Sequence, residues 1–318
     1  MRPFILLLVF FTTGKLTYCQ SLYYYVAGDS VGVKDQLGKK IIPAVHRNLE
    51  GVKNHEKITD FLISLPPKWE DNTRQTWGIV YNRKGKALYA PYFYDNGPDQ
   101  FEEGMTRYVE NEKIGFVNRA GEIVIKAQWD YVSPFDYGIA SFCNGCVWDY
   151  ADDSEHPRLK GGSWGYINSK GEKLEPFKER KSDRDQVEKD GFISYQFSYT
   201  FFEKNILSFF NRQKMISKAY FVNYYSPLDS NERILRYEIV ERPSSFFPYY
   251  HVKSFEFTKE SGFNGQVFPL NFYISRDGKN YYFEEYFDGL IRLDTWLKKY
   301  IEEARSFIES HPDVLYKF

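Results

Sequence analysis

A short glycine-spaced motif occurs four times in the first half of this 318-residue chain. In each copy an aromatic or aliphatic residue precedes a glycine, a strand-like run follows, and a second glycine comes six or seven residues after the first. Successive copies are 46, 37 and 50 residues apart, a period typical of repeated supersecondary units with loop insertions. A glycine closing a short turn can take positive φ, so each copy predicts a β-hairpin. The motif residues are Gly32 and Gly38, Trp77, Gly78 and Gly85, Gly115 and Gly121, and Trp164, Gly165 and Gly171.

The third copy shows the most complete unit. Its strand-like runs are Ile114 to Asn118, Ile123 to Ile125 and Gly138 to Phe142, with an aromatic-Asp pair and a Phe between the last two. The second copy repeats this tail as far as Tyr108. Residues 25 to 177 therefore resemble the WG-repeat family, although Val31 replaces the tryptophan in the first copy. The resemblance implies an array of hairpin or three-stranded repeats, which we expect to form a β domain over residues 20–177 of an exported bacterial protein.

A single hairpin cannot bury one of its own faces, so such units are stable only when several pack together. We therefore expect the motif aromatics, including Trp77 and Trp164, to lie in the core. The first glycine of each motif should lie where a neighbouring backbone or ring comes close.

The N-terminus predicts export. A basic start, the apolar run Phe4 to Phe11 and a polar end are typical of a secretory signal peptide, here residues 1–19. The mature protein would be secreted, or periplasmic in the cell envelope. A lipoprotein acylated at Cys19 is the alternative, which the bulky Tyr18 disfavours. We expect no transmembrane segment in the mature chain, and the net charge of −1 without a basic block disfavours nucleic acid as a partner.

Cys143 and Cys146 flank Asn-Gly, a strong turn signal, and the turn should bring the two cysteines close enough for a disulfide. In an oxidising compartment a local disulfide is the favoured interpretation. A redox motif would need a following helix, and a zinc site would need a second ligand beyond His156. The acidic residues Asp149, Asp152, Asp153 and Glu155 lack EF-hand spacing, so we predict no metal and no cofactor.

The second half has a different pattern. The charged residues 178–190 predict a linker, and residues 191–318 predict an α+β domain with an antiparallel sheet and two helices, giving a mainly β protein overall. A capping box at Thr200 begins the first helix, and an apolar stripe from Leu293 to Ile308, ended by Pro312, predicts the second. The predicted strands are Ala219 to Tyr225, Leu235 to Ile239, Val252 to Phe257, Leu270 to Ile274 and Tyr281 to Phe287.

One short motif suggests catalysis. Gly28-Asp29-Ser30-Val31-Gly32 fits G-x-S-x-G and resembles the Gly-Asp-Ser start of one esterase family. That nucleophile elbow needs a strand-to-helix turn, whereas the chain continues here as strand. The candidate base also departs from the esterase pattern, because Asp313 follows His311.

The sequence therefore favours a non-enzymatic exported binding or scaffold protein. Its partner would be a protein or peptide, contacted through the insertions at residues 47–60 and 143–162. The alternatives are a cell-surface glycan stacked on Trp148 or Tyr150, and an esterase using Ser30. The C-terminal domain could equally be the functional part, with the repeats as a stalk.

Overall fold

The computed structural model describes residues 21–71, 75–151, 157–223, 233–258, 262–263, 269–285 and 289–311. Several predicted features lie outside these residues: the signal peptide with Cys19, the acidic residues Asp152, Asp153 and Glu155, His156, Pro312 and Asp313.

The first half of the chain consists of short strands, as the aromatic and β-branched composition predicts. They are β1 (Leu22–Ala27), β2 (Ser30–Asp35), β3 (Lys40–Arg47), β4 (Lys57–Ile58), β5 (Leu62–Leu65), β6 (Ile79–Asn82), β7 (Ala87–Pro91), β8 (Phe93–Tyr94), β9 (Gly97–Pro98), β10 (Met105–Glu110), β11 (Lys113–Asn118), β12 (Ile123–Trp129), β13 (Tyr131–Val132), β14 (Ile139–Asp149), β15 (Arg158–Asn168) and β16 (Lys173–Leu174).

Each motif lies on or directly before the second strand of a three-stranded antiparallel meander, with Trp77 and Gly78 just ahead of β6. The four meanders are β1-β2-β3, β5-β6-β7, β10-β11-β12 and β14-β15-β16. The second and third join through β7 and β10 into one six-stranded sheet, and β4 and β13 extend the other two sheets. We predicted the run from Gly138 to Phe142 as the last strand of the third unit. In the structure it belongs to β14, which pairs with β15 as the first strand of the fourth meander.

The second half contains one large sheet and three helices. Its elements are β17 (Gln186–Glu188), β18 (Gly191–Ile193), α1 (Phe201–Arg212), α2 (Lys214–Asn223), β19 (Arg233–Glu241), β20 (Tyr249–Thr258), β21 (Gly262–Phe263), β22 (Asn271–Ser275), β23 (Tyr281–Glu285), β24 (Gly289–Arg292) and α3 (Leu293–Ser310). The sheet order is β18-β17-β21-β20-β22-β23-β24, with β19 also paired to β20. All of these pairs are antiparallel except β17 with β21.

The predicted strand from Ala219 to Tyr225 was wrong for residues 219–223, because residues 214–223 form α2, and Tyr224 and Tyr225 lie outside the described residues. The described part of the chain therefore has three helices instead of two. Ile216, Ala219 and Tyr220 are buried together, and this three-and-four spacing places them on one helical face. The aromatic and β-branched residues of this segment favour a strand by local propensity, but packing against the sheet stabilises the helix.

The predicted features of α1 and α3 are confirmed. Thr200 and Glu203 form a reciprocal capping box at the start of α1. The apolar stripe of α3 packs into the same core as α1, α2 and the strands β19, β20 and β22, and Trp296 extends that stripe. The helices therefore cover one face of the large sheet.

The opposite face of the large sheet packs against the first half of the chain. Alternate residues of β20, including Phe255 and Phe257, form a second buried cluster with Tyr137 from the loop before β14. The Tyr137 ring lies 4.9 Å from Phe255, and its hydroxyl donates a hydrogen bond to the carbonyl of Arg184 at 3.1 Å. Two halves with different sequence patterns thus share a packed interface.

The charged stretch 178–190 is folded onto this interface. It contains β17, and Asp185 is buried, accepting hydrogen bonds from the backbone N–H groups of Lys181 and Ser182. Asp183 forms an ion pair with Arg236 of β19 at 2.5 Å. The charged composition by itself predicts a solvated linker. The ion pair with Arg236 and the hydrogen bonds of Asp185 instead hold this stretch against the rest of the protein.

Within the described residues, no helix combines the length and apolarity needed to cross a membrane.

Candidate functional site

The four motif turns have the same hydrogen-bonding pattern. In each, one Asp or Asn side chain accepts hydrogen bonds from the backbone N–H groups two and four residues later. The glycine three residues later has φ between 77° and 85°, as the hairpin prediction requires. The Asx residues are Asp35, Asn82, Asn118 and Asn168, and the glycines are Gly38, Gly85, Gly121 and Gly171.

The first glycine of the motif lies under a tyrosine in two meanders. Gly115 faces Tyr108 across the β10–β11 pair, and the Tyr108 hydroxyl accepts a hydrogen bond from the N–H of Ala127 on the third strand at 3.0 Å. Gly32 faces Tyr25 in the same way, with Ala44 as the donor at 2.8 Å. The third strand is irregular opposite each glycine, which brings its backbone close. The expected close approach is thus confirmed at both positions.

The motif tryptophans are not core residues, contrary to our prediction. Trp164 is 50% exposed and its indole N–H donates to the Gly161 carbonyl at 3.1 Å, while Trp77 is partly buried and stacks on Phe93. Smaller residues at the equivalent positions, Val31 and Ile114, are buried. The same motif position therefore changes from buried to exposed according to what packs on each meander.

Cys143 and Cys146 form a disulfide, with Cα atoms 6.1 Å apart, as predicted. The predicted turn at Asn144-Gly145 was wrong, because β14 continues through it and remains paired with β15 up to Asp149. Gly145 and Gly162 face each other with φ of 77° and 72°. The strands thus continue through these two positive-φ glycines. The disulfide therefore joins two positions of one strand and does not close a turn.

Beyond the disulfide, β14 and β15 project as a two-stranded ribbon. We call residues 143–151 and 157–164, together with Tyr131, the aromatic ribbon. Tyr131 contacts Trp148 at 5.8 Å and Trp164 at 6.1 Å between ring centroids. Trp148 is 38% and Val147 is 65% exposed, so this surface presents apolar side chains to solvent.

Beyond Cys143 the outer backbone edges of the ribbon have no neighbouring strand in the described structure, although the N–H of Gly145 on β14 donates to the Asp130 carboxylate at 2.6 Å. Strand β13 pairs with β14 only at Phe142 and Cys143. Strand β16 pairs with β15 only at Tyr166 and Ile167. Unpaired edges offer N–H and C=O groups to another extended chain. An ion pair between Lys160 and Asp149 links the two ribbon strands to each other and leaves these outer edges open.

The other predicted insertion, residues 47–60, is attached to the first sheet. Its strand β4 pairs with β1, and the Asn48 side chain exchanges hydrogen bonds with the backbone of Val52. The apolar surface of the aromatic ribbon makes it the stronger candidate for a binding site.

Ser30 is the first residue of β2 and follows a two-residue turn from β1, so it is not on a strand-to-helix elbow. Its hydroxyl accepts the indole N–H of Trp69 at 3.0 Å. His46 lies on the neighbouring strand, but its two ring nitrogens bond to the Pro66 carbonyl and the Tyr81 hydroxyl. Burial lowers the pKa of His46.

The three other histidines among the described residues contact other groups. His55 lies 3.2 Å from the Lys34 amine, His251 bonds to Asn271 at 2.8 Å, and His311 lies 3.0 Å from the Phe307 carbonyl. Among the residues that the structure describes, no group of three or more His, Cys, Asp or Glu side chains is arranged to hold a metal ion.

The sequence reasoning did not predict the burial of several carboxylates, among them Glu238 and Glu103. Glu238 accepts hydrogen bonds from Tyr195 at 2.6 Å and from Tyr199, with Arg184 at 3.4 Å. Glu103 accepts the N–H of Gly138 at 2.8 Å. Burial is the main cause that raises the pKa of both carboxyls. Glu238 takes a polar position in a strand where apolar and polar residues alternate, so the sequence alone predicts that its side chain faces solvent.

Residues 114–148 match the model of a family described as WG containing repeat. The match covers β11 to β14, the copy with the most complete motif, and supports assignment to a WG-repeat family. No curated protein and no solved structure matches the chain.

Proposed function

We propose, from the WG-repeat match at residues 114–148, that all four meanders are WG-type repeats and that the chain is a non-enzymatic, exported binding or scaffold protein. The identical Asx turns support the repeat assignment. The partner we propose is an extended segment of a protein, held on the aromatic ribbon.

The observation that carries this proposal is the exposed aromatic group on an open-edged ribbon. Tyr131 joins Trp148 and Trp164 into one surface, and large aromatic side chains are enriched where proteins bind each other. The adjacent edge of β14 or β15 could add a strand from the partner through backbone hydrogen bonds. The disulfide fixes the base of the ribbon and agrees with export to an oxidising compartment.

A cell-surface glycan is the second candidate ligand. Trp148 and Tyr150 are 38% and 47% exposed, and sugar rings stack on such aromatic faces. Esterase activity at Ser30 has less support, because both ring nitrogens of His46, on the neighbouring strand, have other hydrogen-bond partners.

Selection of a displayed random peptide library on the purified protein tests the peptide proposal. We expect enriched peptides whose affinity falls at least tenfold in W148S/W164S and is unchanged in W69S. Trp69 is a matched control, since it is 57% exposed but lies outside the ribbon. Circular dichroism of each variant checks that the fold is retained.

N-methylation of the enriched peptides at alternate backbone nitrogens tests strand addition. An added strand pairs with the ribbon through every second N–H group. Methylation of that set of nitrogens should abolish binding, and methylation of the other set should be tolerated. Absence of enriched peptides, or equal binding by W148S/W164S, would overturn the peptide proposal. Glycan-array signals that disappear in W148S/W164S would instead select the glycan alternative.

A further inference from the structure

A groove of about 600 Å³ lies between the junction of α1 and α2 and strand β19, away from the aromatic ribbon. Phe210 and Asn211 line it from α1, and Lys214 and Phe221 line it from α2. Its volume falls in the range of small-molecule sites, which is about 300–1,000 Å³.

Basic side chains dominate the groove. Three arginines are balanced by carboxylates: Arg184 by Glu238, Arg233 by Glu256 and Arg236 by Asp183. Lys214 and Lys218 also line the groove, and neither forms an ion pair or a side-chain hydrogen bond with a described residue. The two lysines therefore leave an uncompensated positive charge at its rim.

The two lysines lie at the start of α2, which follows the end of α1 directly. The groove receives Lys214, Ser217 and Lys218 from the first turn and a half of α2. The first turn of α2 contains no acidic residue to offset the two lysines, while the partial charges of the adjoining helix ends, negative for α1 and positive for α2, oppose each other. An anionic group is therefore favoured at this end of the groove.

Tyr237 lies in the floor of the groove and is 4% exposed, but its hydroxyl has no hydrogen-bond partner in the described structure. A buried hydroxyl without a partner costs free energy that a ligand's polar atom could recover. Phe210, whose ring lies 5.3 Å from Tyr237, and Phe221 provide apolar surface beside it.

We propose that this groove binds a small organic anion with an aromatic or other apolar body. Lys214 and Lys218 contact its carboxylate or phosphate, Phe210 and Phe221 contact the apolar body, and Tyr237 donates a hydrogen bond. Charge complementarity and the volume of the groove favour a small molecule over a protein segment. This site is separate from the proposed ribbon function.

Three naphthalene probes test the proposal by isothermal titration calorimetry: 2-naphthoate, 1-naphthyl phosphate and the neutral 2-naphthamide. We expect at least one anion to bind at least tenfold more tightly than the amide. The two anions distinguish a carboxylate ligand from a phosphate ligand. K214Q/K218Q should remove the preference for the anion, and Y237F should weaken anion binding several-fold.

K84Q/K298Q is the matched control, because both lysines lie outside the groove. It should bind as the wild type does, as should W148S/W164S, which separates this site from the ribbon. Thermal unfolding verifies that each variant is folded. Failure of both anions to bind, equal affinity for the amide, or an unchanged preference in K214Q/K218Q would overturn the proposal.

Discussion

The phenol oxygen of Tyr108 accepts a hydrogen bond from the backbone N–H of Ala127 at 3.0 Å. The ring crosses Gly115 to reach the third strand of its meander, and Tyr25 and Ala44 repeat the arrangement across Gly32. The bond adds a side-chain link across all three strands to the backbone hydrogen bonds that already pair them.

Tyr108→Phe should lower the free energy of unfolding by about 1 kcal/mol, because the Ala127 N–H loses its partner while the ring is retained. Chemical denaturation measures the loss. Tyr94→Phe is the control, since Tyr94 is 56% exposed. An equal loss in both variants would show that the hydrogen bond is not the cause.

Gly115→Ala should destabilise the protein more than Gly165→Ala. A Cβ at Gly115 would lie 2.5 Å from backbone atoms of Ile125 and Ala127, which cannot move without disturbing the sheet. At Gly165 the three atoms nearest to the added Cβ all belong to the Phe142 ring, the closest at 2.7 Å, and a ring can turn aside.

We expect the Gly115 substitution to cost about 1–3 kcal/mol in denaturant unfolding, the usual range for overpacking. Gly97→Ala should be nearly neutral, because no heavy atom lies within 4 Å of the position that the alanine Cβ would take. Equal stability of the Gly115 and Gly97 variants would contradict the proposed close contact.

Glu103 should make the folded protein less stable as pH rises. Burial raises the pKa of its carboxyl to about 8 from an ordinary value of 4.5, while Lys253 opposes the shift and Asp136 and Glu102 add to it. Because the folded state holds this proton more tightly than the unfolded state, the stabilisation is complete below about pH 4.5 and is lost towards pH 8.

Glu103→Gln should therefore gain stability relative to the wild type from pH 5 to 8, with a difference that grows by up to about 1.4 kcal/mol per pH unit. Denaturant unfolding of both proteins at several pH values measures this difference. Because both proteins contain His46 and His251, the contributions of these histidines to the pH dependence cancel. A difference that is constant with pH would show that Glu103 is ionised in the folded protein.

Tyr137→Ala should loosen the interface between the two halves. The ring is 1% exposed and contacts Phe255 and Phe257 of β20. Removing a buried aromatic ring typically costs about 3–5 kcal/mol. Differential scanning calorimetry should show a lower melting temperature, whereas the exposed control Tyr150→Ala should leave it nearly unchanged. Similar melting of the two variants would argue against a packed interface at Tyr137.

The sequence by itself determined the features that depend on neighbouring residues. An Asn or Asp followed three residues later by glycine makes the same turn in every copy, because its hydrogen bonds lie within five residues. The Thr200 capping box and the Leu293 to Ile308 stripe likewise predict α1 and α3 from local contacts and periodicity.

Tertiary structure decided which surfaces are covered. Trp164 is half-exposed while Ile114, at the same motif position, is buried in the core cluster of the third meander. α2 replaces a predicted strand because its apolar face meets the large sheet, and Glu238 is buried because Tyr195 and Tyr199 close over it. Burial depends on contacts between residues far apart in the chain, which local sequence patterns do not specify.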